Sequence, residues 1–171
     1  MTVAVETGLW QLDPTASTVG LRHKTFWGLV TVKGTFAGLG GSGEVRPDGS
    51  AAGTVTLDAA TLDTKSAKRD AHLRSADFFH ADQHPEITFA VRGADRLDGD
   101  QVRVTGELTV RGVSRPQSLT ARLTGVSADA LTLEAEFDVD RDQYGMGWNQ
   151  LGMMRGLTTV TATLRFTRAA A

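Results

Sequence analysis

A chain of 171 residues with 18 basic and 20 acidic side chains, net charge −2, suits one domain with a real core and offers no basic excess to attract nucleic acid. It has no cysteine, which excludes disulfides, thiolate metal sites and a cysteine nucleophile. No apolar run approaches the roughly 18 residues that cross a bilayer as a helix, and the first residues lack a basic and an apolar leader region. The expectation is a cytoplasmic protein with no integral membrane segment.

Glycine is abundant at 19 residues and proline scarce at 4, and valine, threonine and leucine fill the ordered stretches, which favours strands joined by tight turns. A short strand is expected around Leu9 to Leu12. In the next, Val19, Leu21 and His23 share a face. From Leu29 to Phe36, Val30, Val32, Gly34 and Phe36 alternate with Thr31, Lys33 and Thr35. Gly40-Gly41-Ser42-Gly43 and Pro47-Asp48-Gly49 read as turns. Val55, Leu57 and Ala59 then oppose Thr54, Thr56 and Asp58.

The rhythm breaks from Thr64 to Phe79, where the spacing of Ala67, Ala71, Leu73 and Phe78 predicts one short helix, with Ser66 as its cap. Alternation returns with Ile87, Phe89 and Val91, then Val102, Val104, Leu108 and Val110. It continues through Leu119, Ala121 and Leu123, through Leu131, Leu133, Ala135, Phe137 and Val139, and ends with Val160, Ala162, Leu164 and Phe166. Asp98-Gly99-Asp100, Arg115-Pro116 and Ser127-Ala128-Asp129 read as the intervening turns.

Long antiparallel strands with one apolar face close into a barrel or fold over as a sandwich. Strand length and the small inward residues Gly34, Ala59, Gly106, Ala121, Ala135 and Ala162 favour the barrel. The predicted class is therefore all-β: an eight-stranded antiparallel barrel with one short helix between strands, a size that holds one small ligand. Alternation alone leaves open whether the interior is filled or hollow.

Few residues suggest chemistry. His72, His80, Asp82 and His84 have metal-like composition, set against the reading of solvated loop histidines. They would also serve the alternative of a barrel-fold isomerase, cyclase or metal-dependent hydrolase. Arg69 and Asp70 read as an ion pair or cap holding the helix over the barrel end. Tyr144, Met146, Trp148, Met153 and Met154 crowd one glycine-rich loop, read as a flap, a plug or a dimer interface. No nucleophile elbow, P-loop or dinucleotide fingerprint is present.

Four stretches carry a resemblance. They are Trp10-Gln-Leu-Asp-Pro14 with Ser17 to His23 and Val32-Lys-Gly-Thr-Phe36; Arg69-Asp-Ala-His-Leu-Arg-Ser-Ala-Asp-Phe-Phe79 with His84-Pro-Glu-Ile-Thr-Phe89; Gly106-Glu-Leu-Thr-Val-Arg-Gly-Val-Ser-Arg115; and Asp140-Arg-Asp-Gln-Tyr-Gly-Met146. In this order and spacing the chain resembles the YceI-like family of polyisoprenoid-binding proteins. It departs from the family pattern at Ala16, His80 and His84.

The resemblance implies a lipocalin-like barrel with an apolar tunnel for a polyprenyl chain or polyprenyl quinone, in a carrier or storage protein. It implies no enzyme activity, no catalytic residue, no bound metal or other cofactor, and a homodimer. The tunnel would be lined by Leu21, Val30, Val32 and Phe36 from the early strands, by Leu57 and Phe89, and by Val104, Leu108, Phe137, Val160 and Leu164. His23, inward on its strand, reads as a buried, hydrogen-bonded histidine, with contact to a quinone or phosphate head group as the alternative. Leu73, Phe78, Phe79, Tyr144, Met146, Trp148, Met153 and Met154 would form the mouth or lid, and Phe26 and Trp27, beside the first strands, would also touch ligand. Burying a methylene gains about 0.8 kcal/mol, so a five-carbon isoprene unit gains roughly 3 kcal/mol before ordering costs, with no polar anchor required.

Overall fold

The alternating segments become β1 (Gly8–Leu12), β2 (Thr18–Thr25), β3 (Val30–Phe36), β4 (Leu39–Val45), β5 (Ala51–Asp58), β6 (Leu62–Asp63), β7 (Glu86–Arg96), β8 (Gln101–Val110), β9 (Val113–Thr124), β10 (Ala130–Val139) and β11 (Thr158–Arg168). One helix, α1 (Ala67–Arg74), stands between β6 and β7. The structure, a computed structural model, describes residues 5–25, 29–146 and 157–169.

Six of these strands are halves of three bent staves. Between β1 and β2 a 3-10 turn, Pro14–Ala16, is capped by Asp13, whose Oδ1 accepts from Thr15 N at 3.0 Å. Between β5 and β6 the turn Ala59–Thr61 is capped in the same way by Asp58, which accepts from Ala60 N at 3.1 Å. β3 runs into β4 across residues 37–38. Counting each bent stave once, eight staves follow one another antiparallel around the ring. β1 pairs with β4 on one side (Trp10↔Gly43) and with β11 on the other (Trp10↔Arg168), which closes the cylinder. The predicted eight-stranded barrel with one short helix is the observed one.

Two predicted turns are strand instead. Gly40-Gly41-Ser42-Gly43 lies inside β4, where β4 and β5 run so close that a Cβ on Gly53 would sit 2.5 Å from the Ser42 carbonyl oxygen. Its glycines answer to inter-strand contact rather than to chain reversal. Arg115-Pro116 lies inside β9, and the reversal comes earlier, at Arg111 and Gly112, with φ of 55° and 73°, the left-handed pair of a tight hairpin. Proline is tolerated there because β9 registers with β10 only from Ala121 to Thr124, so Pro116 has a partner strand on one side.

Inward smallness also has two causes. A Cβ on Gly34 would meet Leu62 and Thr64 at 2.8 Å, and one on Gly106 would meet the Phe89 ring at 2.7 Å. Those two glycines make way for neighbours and leave no void. Ala59, fully buried, sits in a 3-10 turn rather than on a strand.

One end of the barrel is packed by Trp10, Val102, Val104, Ala121, Leu123 and Leu131. The indole donates from Nε1 to Glu6 O at 3.0 Å, and the Arg168 guanidinium lies 6.0 Å from its ring centre. A second cluster, with Phe36, Leu62, Phe78, Ile87, Val110 and Tyr144, packs beneath the helix end.

The helix forms where sequence reading places it. Ser66 caps it, accepting from Arg69 N at 3.3 Å. Arg69 and Asp70, read as an ion pair or a cap holding the helix, form no ion pair with each other. Both hold Thr64: Arg69 Nε donates to Thr64 Oγ1 at 2.7 Å, and Asp70 Oδ1 accepts from Thr64 N at 2.9 Å and from its hydroxyl. The buried Asp70 carboxylate thus fixes the corner from which α1 leaves β6.

Candidate functional site

Barrel closure turns the apolar faces of the staves onto one another, and they do not fill the space between them. A cavity of about 220 Å³ runs through the interior, walled by apolar side chains from β2, β3, β5 and β7 to β11. Leu21, Leu57, Phe89, Phe137, Val160 and Leu164 all point inward yet stay only half-buried, because they face the open interior. In a close-packed core such residues would be buried completely.

Beyond Leu21 the cavity adjoins a second chamber of about 320 Å³ at the helix end. The two share Leu21, Phe79, Arg141, Met146 and Thr158 in their walls. Val30, Val32, Leu62, Leu73 and Phe78 continue the apolar lining, and Phe79 stands edge-on to Phe36 at 6.1 Å. Here polar groups join the wall: His23, Thr25, Arg69, His72, Arg141 and Thr158. His23 and Thr25 arrive by alternation along β2, so the residues that continue its inward face are polar where β2 leaves the barrel.

Arg141 belongs to a 3-10 turn, Arg141–Tyr144, that follows β10. Its Nη1 donates to the Met146 carbonyl, and its guanidinium lies 5.8 Å from the Phe78 ring centre. Burial holds its pKa below the ordinary arginine value, while Asp142 and Asp140 act the other way. Arg111 donates to Gly145 O and Arg115 to Gln143 O at 3.3 Å, so two arginines tie this turn to the β8–β9 hairpin. It stands where β9 and β10 have parted.

Of the residues predicted to touch ligand, Leu21, Phe36, Leu57, Phe89, Val104, Leu108, Phe137, Val160 and Leu164 wall the cavity. His23, Val30, Val32, Leu73, Phe78 and Phe79 wall the chamber, and Met146 borders both. Tyr144 is the exception. It is 2% exposed, packed in the core and off both walls, and burial raises its hydroxyl pKa. Phe26, Trp27, Trp148, Met153 and Met154 lie outside the described residues.

Sequence reading missed Val19, Val55, Leu119, Leu133 and Phe166 as cavity wall, although the same alternation contains them. It also missed Thr25, Arg69, Arg141 and Thr158 as chamber wall. The histidines do not converge. His72 faces the chamber and bonds Asp77 at 2.8 Å, whereas His80 and His84 stack edge-to-face at 5.7 Å away from it. Among the described residues no three His, Asp or Glu side chains group as a metal ion requires.

A family model described as a YceI-like domain matches residues 10–167. Proteins named YceI from Shigella flexneri and Shigella sonnei are each 43% identical over 75 residues, 44% of this chain and 39% of theirs. The chain thus spans about two fifths of the length of these curated relatives. Among solved structures, BcnA of Burkholderia cenocepacia superposes with a TM-score of 0.81 at 18% identity, over 90% of this chain and 98% of that one. A polyisoprenoid binding domain from Saccharophagus degradans, implicated in plant cell wall breakdown, gives 0.75 at 17% identity, over 96% and 100%. The Campylobacter jejuni YCEI protein gives 0.73 at 22%, over 83% and 88%. At such identities the likeness is one of fold.

Proposed function

This chain belongs to the YceI-like domain family, and from that premise we propose that it binds a long apolar isoprenoid, a polyprenyl chain or polyprenyl quinone, inside its barrel as a carrier or storage protein and not as an enzyme. One observation carries the reading: the inward side chains of a closed barrel surround an apolar cavity that adjoins a larger chamber at the helix end. Small-molecule sites run from roughly 300 to 1,000 Å³ with mostly apolar walls, and the two spaces together fall in that range. A solved structure of this fold is that of a polyisoprenoid binding domain, which supports the same ligand class here.

The physics of uptake is that of apolar transfer. Each isoprene unit withdrawn from water gains roughly 3 kcal/mol before ordering costs. A cavity formed in advance by a hydrogen-bonded cylinder spares the protein most of its own reorganisation. The test is mass spectrometry of organic extracts from the purified full chain, followed by titration of the stripped protein with a polyprenyl quinone. A polyprenyl species near one per protein, and saturable uptake, are expected. An extract free of apolar species together with no uptake would overturn the proposal.

A further inference from the structure

The ribbon of β2 and β3 outlasts its neighbours in the ring. β2 is registered with β11 only from Thr18 to Arg22, and β3 with β6 only at Thr35 and Phe36. Beyond those points Lys24↔Thr31 and Thr25↔Val30 pair with each other and with no third strand among the described residues. The ribbon thus extends past its flanking strands at the helix end, where Val30 and Val32 border the chamber.

Apolar exposure sets this end apart. Leu29 is 85% exposed, Val30 44% and Leu157 52%, three of the five large exposed hydrophobic side chains among the described residues. Leu157 joins the other two because Thr159 lies opposite Arg22 and the Thr158 hydroxyl bonds His23 at 2.9 Å, which brings Leu157 in beside Lys24. Single exposed hydrophobics are ordinary, whereas several on one rim mark a contact surface.

Charge is the second, independent observation. The chain has four lysines, Lys24, Lys33, Lys65 and Lys68, and all of them fall on β2, β3 or the segment from β6 into α1, exposed to solvent. β2 and β3 carry no carboxylate. Lys65 pairs with Asp63 at 3.3 Å, but Lys24 and Lys33 form no ion pair among the described residues. Both alternate with inward residues and so share the outer face of the ribbon, Lys33 opposite Arg22 and Lys24 opposite Thr31. On the other flank, Glu136 and Asp138 of β10 are engaged by Arg22 and by the Thr159 hydroxyl. An apolar edge beside unpaired lysines suits the interface of an anionic bilayer: the apolar groups enter the acyl boundary and the ammonium groups stay among the head groups.

We infer that the free end of the β2–β3 ribbon docks this protein on an anionic lipid surface, with Leu29, Val30 and Leu157 as the apolar contact and Lys24 and Lys33 as the charged one. Val30 belongs both to that contact and to the chamber wall, so a molecule seated in this way turns its chamber toward the lipid. A guest then passes between bilayer and barrel without crossing water. That use rests on the isoprenoid-carrier reading; the docking does not.

Co-flotation of the ligand-stripped full chain with vesicles tests the assignment, using phosphatidylcholine alone and phosphatidylcholine mixed with phosphatidylglycerol. Binding to the mixed vesicles is expected, with little to phosphatidylcholine alone, and it should weaken as salt is raised. The double variant Lys24→Gln with Lys33→Gln should lower affinity for the mixed vesicles roughly twentyfold, each lysine near an anionic surface being worth about fivefold. Leu29→Ser and Leu157→Ser should each lower it about tenfold. Leu9→Ser removes a side chain 58% exposed on β1, next to Trp10, and should change nothing. Uptake of a polyprenyl quinone by the same variants should stay at the wild-type level, which shows the barrel intact. No binding to mixed vesicles, or binding that the lysine and leucine variants leave unchanged, overturns the docking. So does an equal loss in Leu9→Ser and Leu29→Ser. Self-association of the wild-type chain that Leu29→Ser abolishes would make a second copy the occupant and overturn the lipid surface. Quinone uptake without vesicle binding defeats the docking alone, and vesicle binding without quinone uptake supports it while bringing down the carrier reading.

Discussion

At one end of the barrel the chain reverses in short hairpins at residues 46–50, 97–100 and 125–129, around a plug of Trp10, Val102, Leu123 and Leu131. At the other end a helix, a 3-10 turn and the β8–β9 hairpin surround a chamber with two arginines and two histidines in its wall. The first end is dense and apolar, closed by Trp10, Leu123 and Leu131. The second is stitched by side-chain bonds: Arg111 and Arg115 reach the turn after β10, and Arg69 and Asp70 reach Thr64. Apolar packing is present at both ends, with Phe36, Leu62, Phe78 and Tyr144 beneath the helix, so what sets the helix end apart is the polar stitching around its chamber.

The comparison is broken most severely by filling the cavity between the two ends. Ala135→Trp places an indole among Ala121, Leu133 and Phe137, and apolar ligand uptake should be abolished while the far-ultraviolet circular dichroism stays that of a β-barrel. Next comes the contrast in packing. Trp10→Ala at the dense end should cost roughly 3–5 kcal/mol, and Leu73→Ala at the helix end about 1 kcal/mol, since Leu73 is only half-buried. Urea unfolding of both variants measures the difference, and equal costs would erase the distinction between the ends.

Smaller effects sharpen the picture at the helix end. Ser66→Ala removes the α1 cap and should cost about 1 kcal/mol; hydrogen exchange should show the loss confined to α1 and its neighbours. The smallest effect is a pH slope. Burial raises the Tyr144 pKa above its ordinary value of about 10. In the alkaline range the folded protein keeps a proton that the unfolded chain has lost, so stability falls as pH climbs past about 10. In Tyr144→Phe that fall should be shallower, as denaturant midpoints at successive pH values will show.

Much of this architecture was legible because alternation of period two reports which face of a strand leaves water, and closure makes that face the inside. Val104, Leu108 and Phe137 reach the cavity for that reason. Legibility fails where the reason for a residue lies across the sheet. Gly53 and Gly106 are glycine because a neighbouring strand or ring presses on them, and nothing in their own segments says so. Pro116 survives within a strand because β10 has turned away from it. The chamber was hidden for a related reason: Thr25 and Arg141 are polar residues with no motif to mark them, and Arg69 reads from sequence only as an ion pair or cap for the helix. Only the meeting of β2, α1 and the turn after β10 turns them toward a common space.

The ring is closed by its first strand and its last, Trp10 against Arg168 and Leu12 against Phe166. Every other seam joins neighbours in sequence, so a growing chain can add strand after strand to an open sheet, but this seam has no partner until β11 exists. Loop closure over nearly the whole domain is the slowest kind of contact to make. Until it forms, β1 and β10 each present an unpaired edge and the greasy inner face lies open to water and to other chains. Loss of or damage to β11 therefore leaves a sticky half-pipe with both of those edges open.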